Sequence, residues 1–193
     1  MLNNLEKYRI VLGSNSPRRK ELLAGLDLQF EVETIPGIDE SYPDTLTSEA
    51  IPLYIARKKA EAYLDKMSDN ELLITADTIV ATYDRILGKP ANREEAIEML
   101  RYLSDHVHEV ITGVCLTTKD KTVSFSVASA VCFGRLEEED IIYYVDKYLP
   151  FDKAGSYGIQ EWIGYIGVEA INGSFYNVMG LPVQRLYQEL KKF

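Results

Sequence analysis

The segment Ser14–Arg19 contains the residue types that best fit chemistry on an anion. It follows an apolar run and precedes a helix-forming one, so it predicts a strand, a turn and a helix N-terminus. That arrangement presents free backbone N–H groups and the positive end of a helix dipole to an anion. Ser16 suits the N-cap and Pro17 the first helical position, while the guanidinium groups of Arg18 and Arg19 suit phosphate oxygens. An ordinary capped helix with two solvated arginines is the alternative interpretation.

Two carboxylates stand where they could assist reactions of a phosphate. Asp77 follows the apolar run 72–76, which predicts a buried strand ending near this residue. A carboxylate at the carboxyl end of such a strand can bind a divalent cation or accept a proton from water. Glu40, in the Pro- and Gly-containing loop 35–43, is a candidate second metal ligand. The alternatives are an Asp that terminates the strand and a solvated loop glutamate.

Two lysines and one glutamine complete the candidate set. Lys59 has small neighbours on a helix predicted from Ser48 to about Met67, so it can fold down onto the protein. Lys89 lies between a glycine and a proline, which fix a tight loop. Gln160 ends a glycine-rich loop, and its amide can read the edge of a base because it carries both a donor and an acceptor. Solvated lysines and a solvent-facing glutamine are the alternatives.

The elements that must position these residues alternate between strands and helices, which predicts a mixed α/β fold. Two long strands, 109–118 and 122–133, read as a hairpin joined at 119–121, which excludes a purely parallel sheet. The other predicted strands are 8–12, 30–34, 72–76 with a continuation over 78–82, 86–87 and 164–171, and the predicted helices are 17–26, 48–67, 92–103, 137–148 and one after Pro182.

Bulk properties exclude several classes of protein. A net charge of −9 argues against a surface that coats DNA or RNA, and no apolar run is long enough to span a bilayer. The start of the sequence lacks the apolar region of a secretion signal, so a cytoplasmic protein is expected. Cys115 and Cys132 are expected to be buried free thiols, and His106 and His108 to lie at the surface or a strand edge, with no zinc site.

Taken together, these segments resemble the Maf family of nucleoside triphosphate pyrophosphatases over nearly the whole chain. The resemblance implies one domain over residues 1–193, with a mixed β-sheet, flanking helices and two lobes around a cleft, related to the inosine triphosphatase fold. It also implies a homodimer, since family members are often dimeric. The residues that carry it are Ser14–Arg19, Asp39-Glu40, Ala56–Ala60, Ala76–Val80, Gly88–Pro90, Thr112–Val114, Asp152–Gln160 and Val178–Pro182.

The activity implied is hydrolysis of a nucleoside triphosphate between its α- and β-phosphates, with Mg²⁺ or Mn²⁺ as the cofactor. By matching position, Asp77 would activate water and Glu40 would help it hold the metal. The cations that would neutralise the triphosphate are Lys59, Lys89 and Arg19, and the hydroxyls that would sit against the phosphates are those of Ser14 and Ser16.

The resemblance extends to one branch of the family. Arg18, Thr78 and Gln160 match the branch associated with dTTP and UTP, whereas the branch associated with 7-methyl-GTP has a large aromatic residue, Gln and Glu at these places. Two residues depart from the family pattern: Gly13 replaces the usual alanine, and Glu161 stands where glycine is general.

Other functions remain open on the sequence alone. They are hydrolysis of 7-methyl-GTP, hydrolysis of modified pyrimidine nucleotides, and a nucleotide-binding regulator, because Maf proteins have been linked to inhibition of septum formation. The intact Asp77, Lys59 and Lys89 favour an enzyme over a regulator without turnover.

Overall fold

The computed structural model describes residues 2–193, and its strands form a seven-stranded mixed sheet joined by helices. The strands are β1 (Arg9–Leu12), β2 (Glu31–Val32), β3 (Glu71–Ala81), β4 (Ile86–Leu87), β5 (Val107–Thr117), β6 (Thr122–Phe133) and β7 (Val168–Asn172). The helices are α1 (Pro17–Ala24), α2 (Ala50–Glu61), α3 (Arg93–Leu103), α4 (Glu138–Tyr148), α5 (Trp162–Gly167), α6 (Phe175–Met179) and α7 (Val183–Leu190). The predicted mixed α/β class is confirmed.

Strand directions follow from the connections. The sheet order is β2-β1-β3-β5-β6-β7, and β4 pairs with the last part of β3. Strand β1 is parallel to both β2 and β3, because α1 and α2 provide the crossovers that parallel strands need. Strands β5 and β6 form the predicted hairpin, and its turn is closed by a hydrogen bond from Thr118 N to Lys121 O at 2.8 Å.

The predicted helix from Ser48 to Met67 is too long at both ends. Helix α2 begins at Ala50 after Glu49, and neither Ser48 nor any other side chain caps it. It ends at Glu61, and a short 3-10 turn follows. The reason is tertiary packing, since the tighter turn brings Tyr63 and Met67 into the apolar core.

The predicted strand over 164–171 is wrong in its first half. Residues Trp162–Gly167 form helix α5, and strand β7 begins only at Val168. Gly164 explains the difference, because a side chain there would overlap the backbone carbonyl of Ile159. The chain therefore folds back tightly on the preceding loop, which an extended strand would not allow.

The chain groups into two compact units. The first contains the chain up to Asp77 together with Thr112–Val127 and Gly180–Phe193, and the second contains Thr78–Ile111 and Ala128–Met179. In the first unit, small residues of α2 pack against β1, β3 and β5. The buried residues of this cluster are Val11, Ala56, Ala60, Tyr63, Met67, Leu73 and Cys115.

In the second unit, two surface ion pairs link α3 and α4. Arg93 binds Asp146 with Nε to Oδ1 at 2.6 Å, and Arg101 binds Glu138.

Both predicted free cysteines are free, although Cys132 is only partly buried. Among residues 2–193, none of the helices combines the length and apolar character that a bilayer crossing requires.

His108 is not at the surface, which corrects the sequence prediction. Its side chain on β5 is 1% exposed and packs edge-on against Phe133 and Tyr157. Its Nε2 lies 2.6 Å from the Tyr157 hydroxyl. Burial lowers the pKa of His108 to about 4, because removing the imidazole from water disfavours its charged form. Local sequence gives no sign of this, since the residues that bury His108 lie far along the chain.

The buried imidazole predicts a pH-dependent stability. The unfolded chain takes up a proton on His108 below about pH 6.5, whereas the folded protein does so only near pH 4. Stability should therefore fall as the pH drops through this window, by about 2 kcal/mol at pH 4.5. Urea unfolding at pH 7 and pH 4.5 measures the loss. His108→Gln should reduce it, whereas His106→Gln at an exposed imidazole should not; equal losses in all three proteins would contradict the assignment.

Candidate active site

Lys59 binds two of the predicted carboxylates. Its Nζ lies 2.8 Å from Asp77 Oδ1 and 2.9 Å from Glu40 Oε1. The Lys59 and Asp77 side chains are only 14% and 13% exposed, whereas Glu40 is 48% exposed. The lysine therefore folds inward onto the protein, as its small neighbours predict. One ammonium group between two carboxylates is a compact charged centre that is open to solvent on the Glu40 side.

A buried hydrogen bond connects the strand and helix that carry this centre. Thr75 Oγ1 donates to the backbone carbonyl of Ala56 at 2.7 Å. Thr75 lies two residues before Asp77 and so on the same face of β3, while Ala56 lies three residues before Lys59 on α2. This role of Thr75 is not among the predicted ones, although a threonine on the same strand face as the acid was the available signal.

Two glycines allow the close packing on either side of this bond. A side chain at Gly113 would overlap the backbone of Pro52 and Leu53 at the start of α2. At Gly13 an added Cβ would lie 2.9 Å from the methyl group of Thr75. The absence of a side chain at Gly13 therefore makes room for Thr75.

Asp77 does not end its strand, which corrects the sequence prediction. Strand β3 continues to Ala81, and Asp77 lies inside it. The neighbouring strand β1 stops earlier, where Leu12 pairs with Ile74 and Gly13 N donates to Ile74 O at 2.9 Å. Asp77 thus lies beyond the carboxyl end of β1. It is partly accessible at that edge of the sheet because β1 ends there, and not because β3 ends at Asp77.

The segment Ser14–Arg19 forms the predicted helix start. Ser16 caps α1, since its side chain accepts a hydrogen bond from Arg19 N at 3.4 Å. The buried Ser14 Oγ accepts from Ser16 N at 3.2 Å and from Arg19 Nη1 at 3.4 Å. The half-buried Arg18 lies in the first turn of the helix. These contacts order the turn that the sequence suggested for an anion.

Arg19 anchors this helix start near Asp77. Its Nη1 donates to Ala76 O at 3.0 Å and its Nε donates to Gly180 O at 2.8 Å. Burial lowers the pKa of the Arg19 guanidinium, and the nearby Asp77 carboxylate partly opposes that shift. The first unit therefore brings together Ser14, Arg19, Glu40, Lys59 and Asp77.

The second unit carries the half-buried Thr78, the exposed Lys89 and the half-buried Gln160. Lys89 lies in the connection from β4 to α3, and its neighbour Gly88 accepts a hydrogen bond from Gly155 N at 3.0 Å. That bond joins the Lys89 loop to the loop that ends at Gln160. Within residues 2–193, the buried Gln160 Oε1 has no hydrogen-bond partner.

The chain is similar to known proteins over nearly its whole length. Residues 9–193 match the family model described as Maf-like protein. The chain belongs to the Maf family. A dTTP/UTP pyrophosphatase of Parabacteroides distasonis is 74% identical over 193 residues, with 100% of each chain covered. A dTTP/UTP pyrophosphatase of Bacteroides thetaiotaomicron is 62% identical over 192 residues, again with 100% of each chain covered.

A solved structure supports the fold of this Maf protein. The structure of the Staphylococcus aureus Ham1 protein matches with a TM-score of 0.50 and 19% sequence identity. The match covers 94% of this chain and 99% of that one. At this identity the likeness concerns the fold alone.

Glu40 and Asp77 are the candidate ligands for a divalent cation in this Maf site. Within residues 2–193, no group of three or more His, Cys, Asp and Glu side chains is placed to hold a metal ion. Glu40 and Asp77 nevertheless both reach the Lys59 ammonium, so their oxygens already face one positive charge. Because Mg²⁺ is usually bound by one or two carboxylates together with substrate phosphates, this pair fits a cation shared with the substrate.

Proposed function

We propose that this chain is a nucleoside triphosphate pyrophosphatase that hydrolyses dTTP and UTP to the monophosphate and pyrophosphate, with a nucleotide-pool clean-up role. The observation that carries the proposal is the centre in which Lys59 binds both Asp77 and Glu40. Its family membership and the names of its relatives support the same activity.

In this proposal, Asp77 is the general base. It takes a proton from the attacking water while the water oxygen bonds to the α-phosphorus. The bond between the α-phosphorus and the oxygen shared with the β-phosphate breaks, so that pyrophosphate leaves. Lys59 stabilises the anionic carboxylate and places positive charge beside the reacting group. Charge neutralisation and positioning are the main sources of rate in such displacements.

Glu40 and Asp77 would hold the divalent cation, Mg²⁺ or Mn²⁺, which neutralises phosphate charge when bound. Arg19 and Lys89 would add positive charge for the triphosphate, and the hydroxyls of Ser14 and Ser16 would face its oxygens. The ordered turn that Ser16 caps and Arg19 anchors supports this assignment.

Gln160 is the residue we propose to read the base, together with Arg18 and Thr78. Its Oε1 is buried without a partner among residues 2–193, so a base that pairs with the amide would satisfy it. A base that leaves the amide unpaired costs about 1–3 kcal/mol, or about five- to 150-fold in rate. We therefore expect dTTP and UTP to be hydrolysed well ahead of ATP, GTP and 7-methyl-GTP.

A panel of these triphosphates with Mg²⁺ or Mn²⁺, scored for pyrophosphate release, tests both function and base preference. Gln160→Ala should reduce the preference, mainly through loss on the pyrimidine substrates. Gln184→Ala, the same change at an exposed position of α7, is the matched control. A preference for 7-methyl-GTP would contradict only the choice of base. Release of pyrophosphate from no triphosphate would contradict the enzyme and favour a binding protein.

A further inference from the structure

The loop that carries Gln160 is closed by an ion pair between its ends. We name residues 153–161 the glutamine loop. Lys153 Nζ lies 3.2 Å from Glu161 Oε1, and these side chains are 8% and 20% exposed. Lys153 also lies 2.7 Å from Asp152 Oδ1 at the surface. A pair this shielded from water is costly to break, because removing one partner leaves a poorly solvated charge.

Tyr144 of α4 fastens the same carboxylate to the middle of the loop. The tyrosine is fully buried, and its hydroxyl donates a hydrogen bond to Glu161 Oε2. The same hydroxyl accepts a hydrogen bond from Gly158 N at 3.0 Å. Glu161 is thereby connected to the backbone two residues before Gln160, as well as to Lys153.

Gly158 brings the Glu161 carboxylate and the Gln160 amide side by side. A Cβ added at Gly158 would lie 2.9 Å from Glu161 Cδ and 3.0 Å from Gln160 Nε2. Both groups therefore pack against the same bare backbone position. An unpaired carboxylate here would attract the amide N–H groups of Gln160, and Lys153 and Tyr144 occupy that carboxylate instead.

We propose that Glu161 is a positioning residue for Gln160. The Lys153–Glu161 pair closes the glutamine loop and, with Tyr144, uses the hydrogen-bonding capacity of the carboxylate, which leaves the Gln160 amide oriented for the base. Glu161 does not contact the substrate in this proposal. The inference rests on the proposed function only for the identity of the base that Gln160 reads.

The test measures the ratio of kcat/KM for dTTP to kcat/KM for GTP in the unmodified 193-residue chain, in Lys153→Met, in Glu161→Gln and in the double variant. Lys153→Met should lower the ratio of kcat/KM values by about tenfold, because the carboxylate loses its partner and competes for the amide. The loss should appear in KM for dTTP more than in kcat. The double variant should return to within about threefold of the unmodified ratio, because the amide at position 161 carries no charge to compete for Gln160 and can still accept the Tyr144 hydrogen bond that holds the loop. Glu139→Gln on the exposed face of α4 is the control.

Each outcome decides the proposal. Failure of Glu161→Gln to rescue Lys153→Met would mean that Lys153 acts on the substrate directly, which overturns it. Variants that lower the unfolding free energy but keep the selectivity ratio would show a merely structural loop, which also overturns it. Binding selectivity is measured in parallel, as the ratio of the dissociation constants for GTP and dTTP obtained by calorimetry without divalent cation. If the variants bind dTTP and GTP in the expected ratios but no triphosphate is hydrolysed, only the proposed function is refuted. If dTTP does not bind, the proposed function and the role of Glu161 are both refuted.

Discussion

Replacing Asp77 by asparagine should lower turnover by about a thousandfold and leave the protein folded. Asparagine keeps the shape of the side chain and can still accept a hydrogen bond from Lys59, which lies 2.8 Å from Asp77 Oδ1. It cannot take a proton from water, and it contributes no charge to a cation shared with Glu40. The measurement is kcat for dTTP at saturating Mg²⁺, with far-UV circular dichroism as the check on folding.

Asp39→Asn provides the matched control for this prediction. Asp39 also pairs with a lysine, since Lys58 Nζ lies 2.8 Å from Asp39 Oδ2, and this pairing holds the pKa of Asp39 below its ordinary range. The pair is much more exposed than that of Asp77. The control should keep activity within about threefold, as expected for an exposed ion pair. Near-normal turnover by folded Asp77→Asn would remove Asp77 from the role of base.

Lys59→Ala should produce the second largest loss, about a hundredfold in kcat/KM. The change leaves Asp77 and Glu40 facing each other without the ammonium that lies within 3 Å of each. Like charges at short range raise the cost of holding both carboxylates ionised, and the positive charge beside the phosphates disappears. The measurement is kcat and KM for dTTP over a range of Mg²⁺ concentrations.

The adjacent Lys58→Ala is the natural comparison, because it removes the same group one position along the helix. The Lys58 ammonium contacts Asp39 and the backbone carbonyl of Ser41, whereas the Lys59 ammonium contacts Asp77. Its loss should change activity by less than about threefold. Small and equal effects of the two substitutions would mean that Lys59 is an ordinary surface lysine.

Local sequence signals predicted much of the first unit. Ser16 caps α1 and Pro17 begins it because capping chemistry is encoded within a few residues. The small residues around Lys59 indicated a lysine folded onto the protein, and its position beside Asp77 agrees with that interpretation. The match of residues 9–193 to the Maf model reflects motifs spread along the chain.

The errors have a common physical cause, which is contact between distant segments. The burial of His108 depends on Tyr157, 49 residues later. The position of Asp77 beyond the end of β1 depends on a neighbouring strand, not on the sequence around Asp77. The helical start of α5 depends on Gly164 lying against Ile159. Periodicity and capping rules describe a single segment, so they carry no information about such pairs.

The close approach of α2 to Gly113 affects how mutational tolerance in this chain should be read. Every residue other than glycine would force Pro52 and Leu53 away from β5, and with them the helix that bears Lys59. Intolerance at Gly113 in a saturation screen scored on activity would therefore reflect backbone architecture and not chemistry. In such a screen Gly113 should tolerate substitution as poorly as a reacting residue, although it has no functional group of its own.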